Sequence, residues 1–125
     1  MILGVGIDLV EVERVGTKIS RTRGLREKLF TEKEISYCET KKNKAQNYAA
    51  RFAAKEAFLK ALGTGWRKGL HFTDIEIIPD KLGKPEIVLS GKARQMASEK
   101  GIANIQVSLT HLKEYASAVV TLSRK

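Results

Sequence analysis

Segment 51–62 constrains the fold of this chain more than any other, because it predicts a long helix that carries charges through apolar surroundings. Its sequence, RFAAKEAFLKAL, is rich in Ala, Leu, Lys and Glu, which are strong helix formers. We expect the helix to begin near Tyr48 and to end at Gly63, where a left-handed residue can stop it. Glu56 and Lys60 lie four residues apart, so both side chains project from one face of this helix.

Size and composition limit the class of protein. The 125 residues, 42% of them hydrophobic, predict one domain (1–125) with a packed core and some surface left for oligomerisation. Lysine and arginine (23) outnumber aspartate and glutamate (14), and the net charge of +9 attracts polyanions or acidic proteins. Cys38 is the single cysteine, which excludes an internal disulfide and fits a reducing compartment. The sequence shows neither a secretory signal nor an apolar run near the roughly 20 residues of a membrane span, so we expect a soluble, cytoplasmic protein.

Residues 2–10 predict a first strand with two different faces. Alternation places Gly4, Gly6 and Asp8 on one face, which is nearly free of side chains beside a carboxylate. Such a face leaves room for a second backbone or for a ligand. The opposite face carries four large apolar side chains, and we expect it to lie in the core: Leu3, Val5, Ile7 and Leu9.

The remaining elements predict an α+β fold. We expect a short helix at 13–19, a capping-box helix from Thr31 towards Cys38, a loop or frayed helix end at 40–47, strands at 72–78 and 87–89, a helix at 92–100, and a hairpin formed by 105–112 and 115–122. Because the helices cluster ahead of most strands, we expect the strands to pair antiparallel. No repeat or linker divides the chain.

Asp8, Glu56 and Lys60 are the candidates for chemistry. Two carboxylates can hold Mg²⁺ when substrate phosphates and water complete its octahedron, and Lys55, Lys60 and Arg51 would then face the same phosphates. The simpler alternatives are an Asp8 that accepts backbone hydrogen bonds or pairs with a lysine, and a Glu56–Lys60 ion pair on the helix surface.

Basic residues on the first predicted helix form a candidate docking face. Arg14, Lys18 and Arg21 lie at i, i+4 and i+7, so they share one face, which is either solvated or suited to an acidic helix. Only 6% of the residues are aromatic, and no basic motif is interleaved with aromatics, which weakens a nucleic-acid interpretation. Two non-enzymatic alternatives remain: a small basic RNA-binding module, and a catalytically silent scaffold that binds an acidic protein.

Five motifs together resemble one known family. GVGID at 4–8, FTEKE at 30–34, RFAAKEAFLKA at 51–61, GKP at 83–85 and VSLTH at 107–111 are similar, in this order, to the holo-acyl-carrier-protein synthases. These enzymes are the small bacterial 4′-phosphopantetheinyl transferases, and the resemblance covers nearly the whole chain. The first and third motifs are specific in combination, whereas either alone would be a weak signal.

The resemblance implies an activity, a fold and an assembly. The family transfers 4′-phosphopantetheine from coenzyme A to a serine of apo-acyl carrier protein, in support of fatty acid biosynthesis, and releases adenosine 3′,5′-bisphosphate. Its α+β fold, the 4′-phosphopantetheinyl transferase fold, combines an antiparallel sheet with a long helix. It assembles as a homotrimer with active sites between neighbouring subunits. Neither nucleic acid nor a membrane is an expected partner.

The resemblance also implies roles for individual residues. Asp8 and Glu56 match the positions that bind Mg²⁺, and Lys60 matches the lysine beside the pyrophosphate, so these three are the implied catalytic residues. The base that takes the serine proton is either Glu56 or a metal-positioned water. Five residues of this chain match positions that line the coenzyme A pocket in the family: Arg51, Lys60, Gly65, Pro85 and His111. Three basic residues match the region that meets the acidic helix of the carrier protein: Arg14, Lys18 and Arg21.

Overall fold

The computed structural model describes residues 1–124 and shows an α+β fold, as predicted. In chain order the elements are β1 (Ile2–Glu11), α1 (Val12–Arg21), α2 (Leu25–Leu29), α3 (Glu32–Glu39), α4 (Lys44–Leu62), a 3₁₀ turn (Phe72–Asp74), β2 (Ile75–Pro79), β3 (Pro85–Leu89), α5 (Gly91–Glu99), β4 (Asn104–His111) and β5 (Tyr115–Ser123). Within residues 1–124, no helix has the length and apolar character needed to cross a membrane.

The strands form two antiparallel sheets. β1, β5 and β4 make a three-stranded sheet with β5 in the centre, and β2 and β3 make a separate hairpin. The hairpin predicted at 105–112 and 115–122 is confirmed as β4 and β5. β1 pairs with β5 from the far end of the chain, so that Asp8 lies opposite Ala118. The antiparallel pairing expected from the order of the elements is therefore confirmed.

Helix α4 is the central element of the fold and packs against the three-stranded sheet. Most of its side chains are buried, on nearly every side of the helix, and most of the buried ones are small or apolar. Ala53 and Phe58 share one core with Val120 of β5. The helix begins at Lys44, earlier than predicted, so the second half of segment 40–47 is helical. It ends where the sequence predicts, at Gly63, whose φ of 75° is left-handed.

Local hydrogen bonds explain two other boundaries. The capping box predicted at Thr31 is confirmed, because its hydroxyl accepts from Glu34 N and Glu34 Oε1 accepts from Thr31 N. The segment predicted to start a strand at residue 72 instead opens with the 3₁₀ turn, in which the Asp74 carboxylate accepts from His71 N at 3.1 Å. α2 was not predicted, because five residues are too few for a helical pattern to be visible.

The apolar face of β1 was predicted to lie in the core, and this prediction was wrong. Its four large side chains are 37–65% exposed: Leu3, Val5, Ile7 and Leu9. The buried face is the one with the glycines, because a Cβ on Gly4 or Gly6 would overlap the carbonyl oxygen of Ala61 or Ala57 in α4. We predicted that this face leaves room for a second backbone or a ligand, and the second backbone is that of α4.

Candidate active site

The structure brings Asp8 and Lys60 together where β1 packs on α4. Lys60 Nζ donates hydrogen bonds to Asp8 Oδ1 at 2.9 Å and to Ile7 O at 3.0 Å. The Asp8 side chain is 16% exposed, whereas that of Lys60 is 56% exposed and still open to a ligand. In the single chain Asp8 therefore pairs with a lysine, which is one of the two simpler alternatives that the sequence suggested for it. Lys60 reaches across to the strand to form this pair, and not along the helix to Glu56.

Glu56 lies one helical turn before Lys60 and is half-buried. Burial raises the pKa of its carboxyl, the negative charge of Asp8 raises it further, and the positive charge of Lys60 opposes both. Two carboxylates and one ammonium group therefore act on one another at a single place, although Asp8 comes from a different element than the other two.

Two contacts place Asp8 beside the helix. Gly4 and Gly6 allow β1 to approach the backbone of α4 more closely than any other residue type would. On the other side of the strand, Ser117 Oγ of β5 donates a hydrogen bond to Asp8 O at 2.9 Å. The two glycines that precede Asp8 therefore allow the close packing of β1 on α4 that brings Asp8 to the helix.

The donors at this site suit a hard divalent cation. Mg²⁺ prefers oxygen ligands and is commonly held by one or two carboxylates, with phosphates and water completing its shell. Asp8 and Glu56 supply two carboxylates, and a bound cation would oppose the two effects that raise the pKa of Glu56, which are burial and then the charge of Asp8. Residues 1–124 contain no group of three His, Cys, Asp or Glu side chains placed to hold a metal ion, so substrate oxygens and water would have to supply the remaining ligands. The residues therefore fit Mg²⁺.

Lys55 does not face this site, contrary to the prediction that it shares the phosphates with Lys60 and Arg51. Its side chain is fully buried, and Nζ donates to Glu34 Oε1 at 2.8 Å. Burial lowers the pKa of Lys55, and the charge of Glu34 opposes this effect. Helix positions five residues apart are rotated by roughly 140°, so Lys55 and Lys60 point in different directions.

The residues implied for coenzyme A divide between two pockets of the single chain. The smaller pocket has a volume of about 180 Å³. It is lined by Lys60 and Gly65 together with Glu56 and Trp66. This pocket therefore joins the charged site at the end of α4 to the first residues of the following segment.

The other three residues, Arg51, Pro85 and His111, line a pocket of about 510 Å³ between α4, the β2–β3 hairpin and β4. Arg51 is only 4% exposed, and its guanidinium lies over the Tyr37 ring, 4.2 Å from the ring centroid. Within residues 1–124, its buried Nε has no hydrogen-bond partner. His111 Nδ1 lies 2.7 Å from Gln46 Oε1, which leaves its second ring nitrogen for another partner. An arginine and a histidine of this kind are suited to bind phosphate.

A third pocket, of about 500 Å³, lies beside the basic face of α1. Arg14 and Lys18 line it, whereas Arg21 is exposed at the last residue of the helix and is not among the lining residues. Its walls are mainly apolar: Leu9, Val15, Ile19, Leu25, Leu29 and Phe52. Basic side chains beside an apolar groove are suited to an amphipathic helix with acidic residues.

Sequence reasoning missed three features of the site and its surroundings. Trp66 was not singled out, although it is the only tryptophan and follows Gly65. Glu34 was recognised only as part of a capping box, and nothing in its neighbourhood along the chain indicates a lysine partner. Gln46, the partner of His111, carries no local signal at all.

The chain is similar to known proteins over almost its whole length. The sequence model of the 4′-phosphopantetheinyl transferase superfamily matches residues 4–120. A holo-[acyl-carrier-protein] synthase of Geotalea daltonii is 46% identical over 125 residues, which cover 99% of this chain and 100% of that protein. The crystal structure of the synthase from Neisseria meningitidis has a TM-score of 0.87 at 32% identity and covers 99% of this chain and 100% of its own. The synthase from Bacillus anthracis, solved in complex with CoA (3′,5′-ADP), has a TM-score of 0.82 at 35% identity, with 100% and 99% covered.

Proposed function

Because this chain belongs to the 4′-phosphopantetheinyl transferase superfamily, we infer that it is a holo-acyl-carrier-protein synthase, like the relatives it matches over their full length. It transfers 4′-phosphopantetheine from coenzyme A to a serine of apo-acyl carrier protein, and it releases adenosine 3′,5′-bisphosphate. This reaction supports fatty acid biosynthesis. The structural observation that supports it most directly is the meeting of Asp8, Glu56 and Lys60 where β1 packs on α4.

We propose that Asp8 and Glu56 hold Mg²⁺ during the reaction. The support is the pair of oxygen donors and the raised pKa of Glu56, which a nearby cation would bring back down. When bound, Mg²⁺ would neutralise negative charge on the pyrophosphate of coenzyme A and so favour its cleavage.

The proposed roles of the side chains follow from their exposure and charge. The serine hydroxyl oxygen bonds to the β-phosphorus of coenzyme A, and the bond from that phosphorus to the bridging oxygen breaks. Either Glu56 or a water that the metal would position takes the hydroxyl proton. Lys60, which is more than half exposed, donates hydrogen bonds to the departing bisphosphate as its phosphate gains negative charge.

We propose that the complete coenzyme A site lies between two copies of the chain in a homotrimer. The pocket with Lys60 and Gly65 measures about 180 Å³, below the roughly 300–1,000 Å³ usual for small-molecule sites. The pocket with Arg51, Pro85 and His111 is separate from it within one chain. A neighbouring copy would place the two pockets together. The exposed apolar face of β1 supports such an assembly, because contiguous apolar surface marks an interface.

The groove beside α1 is the proposed docking site for the carrier protein. Arg14 and Lys18 would pair with carboxylates of an acidic helix, and the apolar walls would receive the apolar residues of that helix. Arg21 extends the basic face towards the end of α1. The net charge of +9 would also speed the encounter with an acidic partner.

The alternatives drawn from the sequence lose their support. The RNA-binding module is not supported, because the full-length relatives are synthases. A silent scaffold has no need of the Asp8, Glu56 and Lys60 cluster. We also propose a cytoplasmic location, for which the support is the free, fully buried thiol of Cys38.

Intact-mass spectrometry of an apo-acyl carrier protein incubated with this chain and coenzyme A tests the proposal. We expect a mass gain of one phosphopantetheine with magnesium and none with a chelator. Glu56→Gln should abolish the gain while its circular dichroism stays like that of the wild type. Glu99→Gln, the same change on the exposed surface of α5, is the matched control and should retain full activity. Full activity of Glu56→Gln would contradict the role of Glu56, and a wild-type chain inactive on every apo-carrier tested would contradict the activity itself.

A further inference from the structure

Lys55 and Glu34 form a fully buried ion pair that the proposed reaction does not use. Both side chains are 0% exposed. Lys55 Nζ donates to three oxygens, which are Glu34 Oε1 at 2.8 Å, Leu29 O at 2.8 Å and Phe72 O at 3.0 Å. An ammonium group has three N–H donors, so this one is completely satisfied. Its partners lie in three different places: α3, the end of α2, and the 3₁₀ turn.

Glu34 extends these contacts to the second sheet. Its Oε1 accepts a hydrogen bond from Thr31 N at 2.9 Å, and its Oε2 accepts one from Ile77 N of β2, also at 2.9 Å. A single buried pair therefore joins α4 to α2, α3, the 3₁₀ turn and β2. A fully bonded buried network of this kind favours one arrangement of the elements over others.

Phe72 connects the buried pair to the small pocket of the active site. Lys55 holds its carbonyl oxygen, while its ring packs against the ring of Trp66 with centroids 4.1 Å apart. Trp66 in turn lines the pocket of Glu56. Segment 63–71 runs from the end of α4 to Phe72, so α4 holds both of its ends, one through the chain and the other through Lys55.

We propose that Lys55 is a positioning residue for the transferase reaction, because it fixes Phe72 and so holds segment 63–71 against the pocket of Glu56. The effect on coenzyme A rests on the proposed function, whereas the effect on the segment does not. A buried ion pair contributes little net stability, because neutral side chains in its place are often tolerated as well. Its contribution here is geometric, since Lys55 links the helix that carries Glu56 to the far end of the segment that lines its pocket.

Trp66, the only tryptophan of the chain, reports on the segment directly through its fluorescence. The double variant Lys55→Met/Glu34→Gln removes the ion pair without leaving an unpaired buried charge, and the glutamine keeps a carbonyl oxygen for one backbone N–H. We expect the folded variant to show a red-shifted Trp66 emission, because the indole loses its packing on Phe72. The Kd for coenzyme A, measured by calorimetry, should rise about tenfold, because segment 63–71 is no longer held against the pocket of Glu56 and small displacements of binding groups have large effects.

Met96→Ala is the control for a loss of stability alone, because Met96 is a buried core residue of α5 outside the ion pair. It should lower the Tm without changing the emission or the coenzyme A Kd. Should the double variant fail to fold, Lys55→Gln/Glu34→Gln, which also leaves no buried charge and keeps polar groups at both positions, should shift both quantities in the same direction by a smaller factor. A folded variant with the emission and Kd of the wild type would overturn the proposal, and so would a shifted emission with an unchanged Kd. A wild type that binds no coenzyme A would instead overturn the proposed function and leave the fluorescence test intact.

Discussion

Gly6→Ala should weaken both the fold and the proposed active site, because Gly6 is where β1 lies against the backbone of α4. A Cβ at this position would overlap the Ala57 carbonyl oxygen and lie 2.7 Å from Ala61 N. Ordinary contact begins at 3.4 Å, so relief of the nitrogen contact alone moves the strand by about 0.7 Å. Both sides of the contact are backbone, so no side-chain rotation can relieve it. Overpacking of this kind typically costs about 1–3 kcal/mol.

The same displacement moves Asp8, two residues along the strand, away from Lys60. We expect the Tm to fall by roughly 4–11 °C, from the entropy of unfolding of a chain of this length, at a fixed chain concentration. Because displacements near 1 Å can reduce turnover by up to about a hundredfold, kcat/KM should fall at least about tenfold in the phosphopantetheine transfer assay. Gly16→Ala is the control, since its Cβ meets only the Ala45 side chain, at 3.1 Å. A Gly6→Ala protein with unchanged Tm and kcat/KM would refute the argument that these glycines set the strand–helix distance.

Three further substitutions test the carboxylate, the apolar face and the basic face. Glu56→Gln should be more stable than the wild type at neutral pH in metal-free buffer, because the raised pKa means that folding disfavours the ionised carboxylate. In denaturant titrations this gain should disappear as the pH falls towards 4.5, where the unfolded chain also takes up the proton, and a gain independent of pH would contradict the raised pKa. Ile7→Asp should give monomers in sedimentation experiments and no transfer, because it places a charge in the proposed interface; a persistent trimer would exclude this face as the contact. Arg14→Glu should raise the KM for the carrier at least about tenfold and leave the KM for coenzyme A nearly unchanged, whereas equal effects would contradict the docking role.

Elements with local signals could be predicted from the sequence. Helix α4 and its end at Gly63 follow from helix propensity and from the conformational freedom of glycine. The capping box at Thr31 and the β4–β5 hairpin are likewise encoded by residues close together in the chain. The start of α4 at Lys44 was missed, because the polar, basic residues before Tyr48 carry no apolar pattern.

Predictions that depend on how elements pack were less successful. Alternation in β1 correctly separated the glycine face from the apolar face, but it could not say which one meets the rest of the chain. The glycine face was expected to be open enough for a backbone or a ligand, and α4 occupies it. Lys55 was expected beside the phosphates because of its place in the motif next to Glu56. Its actual partner, Glu34, comes from an element that helical periodicity cannot reveal.

The sequence by itself therefore determined the class of fold, the long helix and the residues that resemble those of the transferase family. These properties depend on propensities and spacings that act over a few positions along the chain. Only the tertiary structure decided that Lys60 pairs with Asp8, that Lys55 is buried with Glu34, and that the coenzyme A residues divide between two pockets. The physical reason is that these contacts join residues far apart in sequence, and close packing of a strand on a helix backbone selects them.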